Sequence, residues 1–593
     1  MRMILHYLKP HRWGMLCGFL IKVLGTFADL GLPWVLAYIL DNVVPLGRIS
    51  LVLWWGVVMA GLAVAARLLN IKANRMASKV ARDTIEVIRH DLFHKILYLS
   101  GSQTDAFGIP SLISRLTSDS YNVHSMIGRV QRIGVRAPII LVGGILITFT
   151  LEPVLTLVLI ATLPLLSVIV YRVSKKGIPL YTKVSQSVDS VVRVMRENIS
   201  GIRVVKALSK TDYEYGRFRE NNRVLAENEF KAGITMAISS PMMNLILNLG
   251  LTAIVVVGAY RVNAGDSGPG GIVAFLSYFT MILNAMMSIT RVFVDISKAT
   301  ASADRIALVL ASEDELAVRE GLQAGQEDAH AAGKEGAPAA QVSDSGAARI
   351  EFEHVSFGYH AKDGKKDKLC LKDIDFRIMP GESLGILGAT GSGKSTIANL
   401  MMRFYDVSEG CVKIDGRDVR EYTPQSLREK FSVVFQNDTV FNDSLLENIR
   451  FGREIDDAAV VRAAKDACAY DFIMEKEGAL EYEAAIGGAN LSGGQKQRLL
   501  ITRALAGRSE ILVLDDSSSA LDYKTDAKLR QAIRAGYAGM TIVMIAQRVS
   551  SLMGLDHILV LEDGEAIGYG THEELMEHCA VYREIYEVQM GGM

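Results

Sequence analysis

The sequence predicts two domains of different class: an all-α six-helix transmembrane domain with long cytoplasmic helical extensions, then an α/β domain. Three observations predict this. Six apolar segments, each near the roughly 20 residues that cross a bilayer, fall before residue 311. Residues 312–348 then lose all aromatics and turn to Ala, Gly, Glu, Gln and Ser, as a flexible linker does. From Arg349 the pattern changes to strands and turns, beginning with the alternating RIEFEHVSFGY.

The bulk properties agree. Of 593 residues, 50% are hydrophobic, and mean hydropathy is +0.22. That is too apolar for a wholly soluble chain and too polar for one confined to lipid. A net charge of -1 leaves no footprint for nucleic acid. The five cysteines (Cys17, Cys370, Cys411, Cys468 and Cys579) have no CxxC spacing, which argues against a disulfide framework and a zinc site alike.

Residues 1–13, MRMILHYLKPHRW, interrupt an apolar run with charge and lack a small-residue cleavage site. They read as an interfacial elbow helix, not a cleaved leader. The membrane domain, 14–311, has spans near 14–44, 51–71, 134–150, 153–171, 236–262 and 271–294. Pro33 and Pro138 interrupt two of them, which membrane helices tolerate. Lys and Arg gather before span one, after span two, before span three and after span four. The short loops near 45–50, 151–153 and 263–270 hold Arg48 alone. The positive-inside rule then places both termini in the cytoplasm of a multi-pass inner or plasma membrane protein.

Residues 72–100 and 172–235 are charged, rich in helix formers and poor in Gly and Pro, so they read as helices leaving the bilayer. Turn residues and short apolar faces near 105–116 and 207–218 suit small docking helices at the tips of these extensions; a plain loop is the alternative. Inside the spans, Lys22 either faces the interior or snorkels, and Asp29 is the deeper charge and a cavity candidate. Met242, Met243, Asn244 and Asn248 in span five, with Asn284, Met286 and Met287 in span six, suit an adaptable site for apolar ligands. Helix packing accounts for the methionines equally well.

The second domain, 349–593, carries the chemistry. A strand at 383–387 runs into Gly388, Ala389, Thr390, Gly391, Ser392, Gly393, Lys394 and Ser395, followed by Thr396 and a helix. This is the GxxxxGKS phosphate-binding loop in its required strand–loop–helix setting. Glycines let backbone N–H groups approach phosphates, and the helix N-terminus adds partial positive charge. Lys394 reaches β- and γ-phosphates and Ser395 can hold Mg²⁺. Further on, ILVLDD ends a buried strand with Asp515, placed to hold Mg²⁺, and Asp516, placed near an attacking water.

With LSGGQKQR at 491–498, the chain resembles the half-transporters of the exporter-like (type IV) ABC family over nearly its whole length. The resemblance implies ATP and Mg²⁺ as cofactors and a dimer with two ATPs sandwiched head to tail. Leu491, Ser492, Gly493, Gly494 and Gln495 match the signature, which touches the ATP held by the partner's phosphate loop. Tyr359 matches the aromatic that stacks on adenine, Gln436 the loop glutamine that links Mg²⁺ to the membrane domain, and SALD, ending in Asp522, the D-loop. The two tips match the family's coupling helices. AAIGGAN at 484–490 is shorter than the common family form and lacks its acidic residue.

Two positions depart from the hydrolytic pattern. The family has Glu after the strand-end aspartate, where this chain has Asp516, and His where this chain has Gln547. One lost methylene withdraws the carboxylate by about 1 Å, a displacement that costs on the order of 100-fold in rate. An amide still reaches γ-phosphate but cannot be protonated. The resemblance therefore implies the degenerate-site subunit of a heterodimeric multidrug-type exporter. Its partner carries the Glu and His and an altered signature. The implied substrate is amphipathic or apolar: a drug-like molecule, a lipid or a peptide. The alternatives are a homodimeric exporter with slow hydrolysis, an ATP-gated regulatory membrane protein, and an importer on the same fold.

Overall fold

The computed structural model describes residues 1–313, 316, 346–359, 369–517 and 519–591; the linker expected at 312–348 lies almost wholly outside the described residues. The N-terminal helices are α1 (Arg2–Leu8), α2 (Arg12–Tyr38), α3 (Ile49–Leu97), α4 (Gly101–Phe107), α5 (Ile109–Ser114), α6 (Ser120–Arg129), α7 (Val135–Leu151), α8 (Pro153–Ser200), α9 (Ile202–Ala207), α10 (Thr211–Ala237), α11 (Ser239–Asn263) and α12 (Pro269–Leu310). Among the described residues, six helical stretches are long and apolar enough to span a bilayer. The extensions are helical as the composition predicts, with α3 and α8 running unbroken to Leu97 and Ser200.

The chain forms two compact units. The first holds residues 1–97 and 110–312, and the second holds residues 98–109 and 313–593. In the membrane unit, helix starts are fixed by local chemistry. Pro153 and Pro269 open α8 and α12, positions where a missing N–H costs nothing. The Asp41 carboxylate accepts from the amides of Gly270 at 2.6 Å and Gly271 at 2.9 Å, satisfying two orphan donors of α12. A side chain at Gly270 would place its Cβ 2.6 Å from the Ala37 carbonyl, so only glycine allows this approach.

Leu30, Leu155, Leu159, Ile254, Phe275 and Phe279 form the centre of the bundle. Several charges within this unit are paired. Asp29 accepts from Arg136 at 3.0 Å and from Asn70 at 3.2 Å, and Arg129 bridges Asp295 through two contacts of 2.8 Å. Lys22 is buried with its ammonium 3.0 Å from the Asn74 side-chain oxygen, so it faces the bundle and does not snorkel.

Near the expected 105–116, α4 overlaps the start of the segment and α5 lies within it; near the expected 207–218, the short helix α9 ends where the segment begins and α10 covers most of the rest. A capping box of Ser100 with Gln103 starts α4 early, and Gly108, at φ +76, ends it.

The nucleotide-motif unit has strands β1 (Ile350–Gly358), β2 (Leu369–Ile378), β3 (Ser383–Gly388), β4 (Glu409–Ile414), β5 (Arg417–Asp418), β6 (Phe431–Val434), β7 (Ile511–Asp515), β8 (Thr541–Ile545), β9 (His557–Glu562) and β10 (Glu565–Gly570). An antiparallel sheet runs β2-β1-β4-β5, and a mostly parallel sheet runs β10-β9-β3-β8-β7-β6. Both sheets share a core with α13 (Lys394–Met401). A second core gathers the helices around Gly493–Ala506 against the far face of β7.

Candidate nucleotide-binding site

Strand order builds the site. In the sheet β3, β8, β7 and β6 are parallel neighbours, so their carboxyl ends lie side by side. Those ends carry the phosphate loop after β3, Gln547 after β8, Asp515 and Asp516 at β7, and Gln436 after β6. Residues over 150 positions apart in sequence thus face one crevice, the usual ligand position in such sheets. The cavity has a volume of about 290 Å³. Its lining includes Tyr359, Thr390, Gly391, Gly393, Lys394, Ser395, Thr396, Gln436, Asp515, Asp516 and Gln547.

Two glycines are required by geometry. Gly393 has φ +98, and a Cβ there would meet Leu371 at 2.5 Å. A Cβ on Gly388 would lie 2.4 Å from the Leu561 carbonyl. The loop can therefore close tightly and aim its amides at a ligand. Lys394 at the start of α13 holds its ammonium on the carbonyls of Gly388 and Ala389, at 2.8 and 2.7 Å. Burial lowers its pKa, and Asp515 and Asp516 act in the opposite direction. Ser392 is buried in the loop with no partner for its hydroxyl among the described residues.

Burial raises the pKa of both aspartates; a hydrogen bond from Ser395 offsets this at Asp515, and the Lys394 charge offsets it at both. Gln436 donates to Asp516 at a long 3.5 Å. Asp516 adopts a left-handed backbone, φ +46, and its amide donates to the Ile545 carbonyl at 2.9 Å. Asp and Asn are the non-glycine residues best tolerated there. Tyr359 presents its ring to the cavity, its hydroxyl 3.2 Å from that of Thr396.

The signature residues lie elsewhere. Ser492 caps the helix Gly493–Ala506 in a capping box with Gln495, and Leu491 to Gln495 contribute nothing to this cavity. Ser492 and Gly493 are exposed at the N-terminus of a 14-residue helix, a surface that favours anions. Asp522 caps the helix Tyr523–Gly536 through the Thr525 amide at 2.9 Å.

Other contributors left no mark in the sequence reading. Cys370, Ile545 and Ala546 complete the lining. Gln589, in the helix Ala580–Met590, braces the loop after β8: it donates to the Gln547 carbonyl at 2.9 Å and accepts from the Val549 amide at 2.8 Å. Tyr405 stands edge-on to Tyr359 at 5.1 Å, and its hydroxyl donates to Asp105 of α4 at 2.7 Å. Only the aromatic run RFY, after α13, could have drawn attention to Tyr405.

The candidate substrate residues divide. Asn248 and Asn284 line an open cavity of about 740 Å³ between α11 and α12. Met243, Asn244, Met286 and Met287 close on a void of about 20 Å³, no larger than a water needs. Met242 and Asp29 line neither.

Comparison with known proteins places the chain. The family model of the ABC transporter transmembrane region matches residues 15–286, and that of the ABC transporter domain matches residues 371–519. The uncharacterized ABC transporter ATP-binding protein YfiB of Bacillus subtilis (strain 168) is 35% identical, covering 100% of this chain and 99% of its own length. An ATP-dependent lipid A-core flippase of Chromohalobacter salexigens is 32% identical, covering 86% of this chain and 84% of its own. The solved structure of a bacterial Atm1-family ABC exporter with ATP bound shares the fold, with a TM-score of 0.79 at 24% identity and 98% coverage of both chains. This chain belongs to the ABC transporters, as a multi-pass membrane protein that joins a transmembrane region and an ATP-binding domain in the exporter fold.

Proposed function

We propose that this chain is one subunit of an ATP-driven exporter, pairing with a second half-transporter, with both termini in the cytoplasm. It holds ATP at its own weakly hydrolytic site and lends its signature to the partner's hydrolytic site. The observation that carries this reading is the convergence of Asp516 and Gln547 on one cavity with Lys394 and Ser395. The two departures thus act on the same phosphate.

ATP seats its phosphates on the amides of Gly388 to Thr396 and the start of α13, and Lys394 leaves its carbonyls for them. The Ser395 hydroxyl, the Asp515 carboxylate and the Gln436 amide oxygen form an all-oxygen donor set that suits Mg²⁺, which when bound draws charge off the phosphates. The short carboxylate of Asp516 is drawn back from an attacking water, and Gln547 holds γ-phosphate without bearing charge. The nucleotide stays in place and keeps the two domains together. The exposed N-terminus of Gly493–Ala506 is free to complete the partner's site. Closure moves α4, which belongs to the ATP-binding unit, and α9, which carries exposed Ile202 and Val204 and is followed by exposed Leu208 at a second tip. The spans then switch between inward and outward access.

The cavity between α11 and α12 sets the substrate class. Asn248, Thr252, Ser277, Thr280 and Asn284 supply neutral hydrogen-bonding groups among Leu, Val and Met, and among the described residues no ionised side chain lines it. It suits an apolar or amphipathic molecule that presents neutral polar groups there: a drug-like molecule, a lipid or a peptide. The left-handed backbone at Asp516 favours a second reading, in which Asp serves conformation and a homodimer hydrolyses slowly at both sites.

Reconstitution alone and with a co-expressed half-transporter separates the two. The first reading expects low ATPase from the chain alone, high ATPase from the pair, and ATP-dependent outward flux with the pair only. Vigorous ATPase from the isolated chain, abolished by Asp516→Asn, would overturn it.

A further inference from the structure

We propose that the N-terminal elbow holds one anionic phospholipid in a groove of its own, separate from the transport cavity. The groove, of about 480 Å³, lies between α1, the first turns of α2, α3 and the segment leading into α7. Among the described residues, its only charged lining residues are Lys9 and Arg12, and no carboxylate lines it. No ion pair engages either cation among the described residues, and the first acidic residue of the sequence is Asp29. The two cations therefore face the groove without an internal counter-charge.

The rest of the groove is a trough for a hydrocarbon chain. Leu5, Leu8, Leu16 and Phe19 form its sides. Ala73 and Ala77, four residues apart on α3 and buried, form its floor, and their small side chains keep it open. Its remaining polar group is Gln131, whose amide already donates to the Ile127 carbonyl at 3.3 Å. Arg12 also stands 5.9 Å from the ring of exposed Trp13, a residue suited to the headgroup layer. Two free cations at the head of an apolar trough, on an amphipathic segment at the start of the first span, match a phosphodiester with an attached acyl chain. A neutral lipid would leave the cations uncompensated, and free phosphate would leave the trough empty.

The inference is independent of the transport direction and of the asymmetric ATP site, because its test uses no nucleotide. Full-length protein in neutral detergent is mixed with phosphatidylglycerol or phosphatidylcholine of equal chain length, and retained lipid is counted by native mass spectrometry. Retention of one phosphatidylglycerol per chain, roughly 30-fold stronger than phosphatidylcholine, is expected from two Lys/Arg contacts. K9Q/R12Q should bring the two lipids level, and K9R/R12K should keep the preference. Phosphatidylglycerol with short acyl chains should be retained less than its long-chain form. Equal retention of the two lipids by the native chain, an unchanged preference in K9Q/R12Q, or displacement of the lipid by inorganic phosphate would each overturn the proposal.

Discussion

The cavity at the strand ends and the cavity between α11 and α12 are built on opposite principles. The first is small, about 290 Å³, and is lined by an ammonium, two carboxylates and the amides of a tightly wound loop. The second is more than twice as large, about 740 Å³, and is lined by amides, hydroxyls and aliphatic groups on two helices. In the first, a glycine-bearing loop at a helix N-terminus with one lysine suits a polyphosphate. In the second, a few neutral side chains on helical walls set few demands on shape or charge. On the proposed reading the first takes a fixed fuel and the second an adjustable cargo.

The sharpest way to break this contrast is Lys394→Ala. Removing the ammonium should weaken ATP binding by about 100-fold or more, because charge-assisted contacts to phosphate are among the strongest polar interactions. Binding of a fluorescent ATP analogue reads this directly. Binding of an apolar dye to the membrane cavity should be unchanged. If dye binding disappears as well, the two cavities do not act as separate sites.

The next effect runs in the opposite direction. Restoring the hydrolytic pair with D516E/Q547H should raise the ATPase of the isolated chain by roughly 10- to 100-fold, measured as phosphate release, since it returns the carboxylate by about 1 Å and restores a protonatable ring. Glu is less at ease than Asp in the left-handed backbone at 516, so a stability loss of about 1 kcal/mol should accompany the gain. A folded double variant with no gain in rate would mean that something other than these two side chains limits turnover.

What the sequence disclosed follows the same division. Gly388 to Thr396, Asp515 and Asp516 were legible because phosphate chemistry demands particular residue types at fixed spacing beside a strand and a helix, whereas Gln547 came into view only through the family resemblance. The six spans were legible because hydrocarbon demands about 20 apolar residues. The start of α4 was not, because the capping box of Ser100 with Gln103 opens this helix at Gly101, ahead of α5. Gln589 and Tyr405 were hidden for another reason. Each acts through a long-range contact, 42 and 300 residues from its partner, that only the folded sheet and its neighbours create. For the membrane candidates, the sequence puts amides and methionines on the same helices, and only packing sends Asn248 and Asn284 to the large cavity and Met243, Asn244, Met286 and Met287 to the small void.

That separation can be tested by Asn248→Leu and Asn284→Leu. Each removes one neutral hydrogen-bonding group of about 1 kcal/mol, so the KM for a transported substrate should rise or fall by about fivefold, with ATP affinity unchanged. The direction depends on whether the substrate uses the amide or prefers the added apolar surface. Met243→Leu, in the packed void, should shift KM much less; an equal shift would return the methionines to the binding surface.

The smallest expected effect tests how the ATP-binding unit holds its docking helix. Tyr405 lies between Tyr359 and α4: its ring is edge-on to Tyr359 at 5.1 Å and its hydroxyl donates to Asp105 at 2.7 Å. Gly101 approaches the same ring so closely that a Cβ would lie 2.7 Å from it, and its amide donates to the Phe404 carbonyl at 3.0 Å. Tyr405→Phe keeps the ring against Tyr359 and removes only the bond to Asp105, a loss of about 1 kcal/mol at this exposed carboxylate. Basal ATPase and ATP affinity should hold, while stimulation of ATPase by transported substrate should fall by up to about fivefold. If basal and stimulated rates fall together, Tyr405 merely shapes the nucleotide cavity. If neither moves, α4 is held by Gly101 and its amide instead, and Gly101→Ala, which forces the helix off the ring, becomes the variant that uncouples the two cavities.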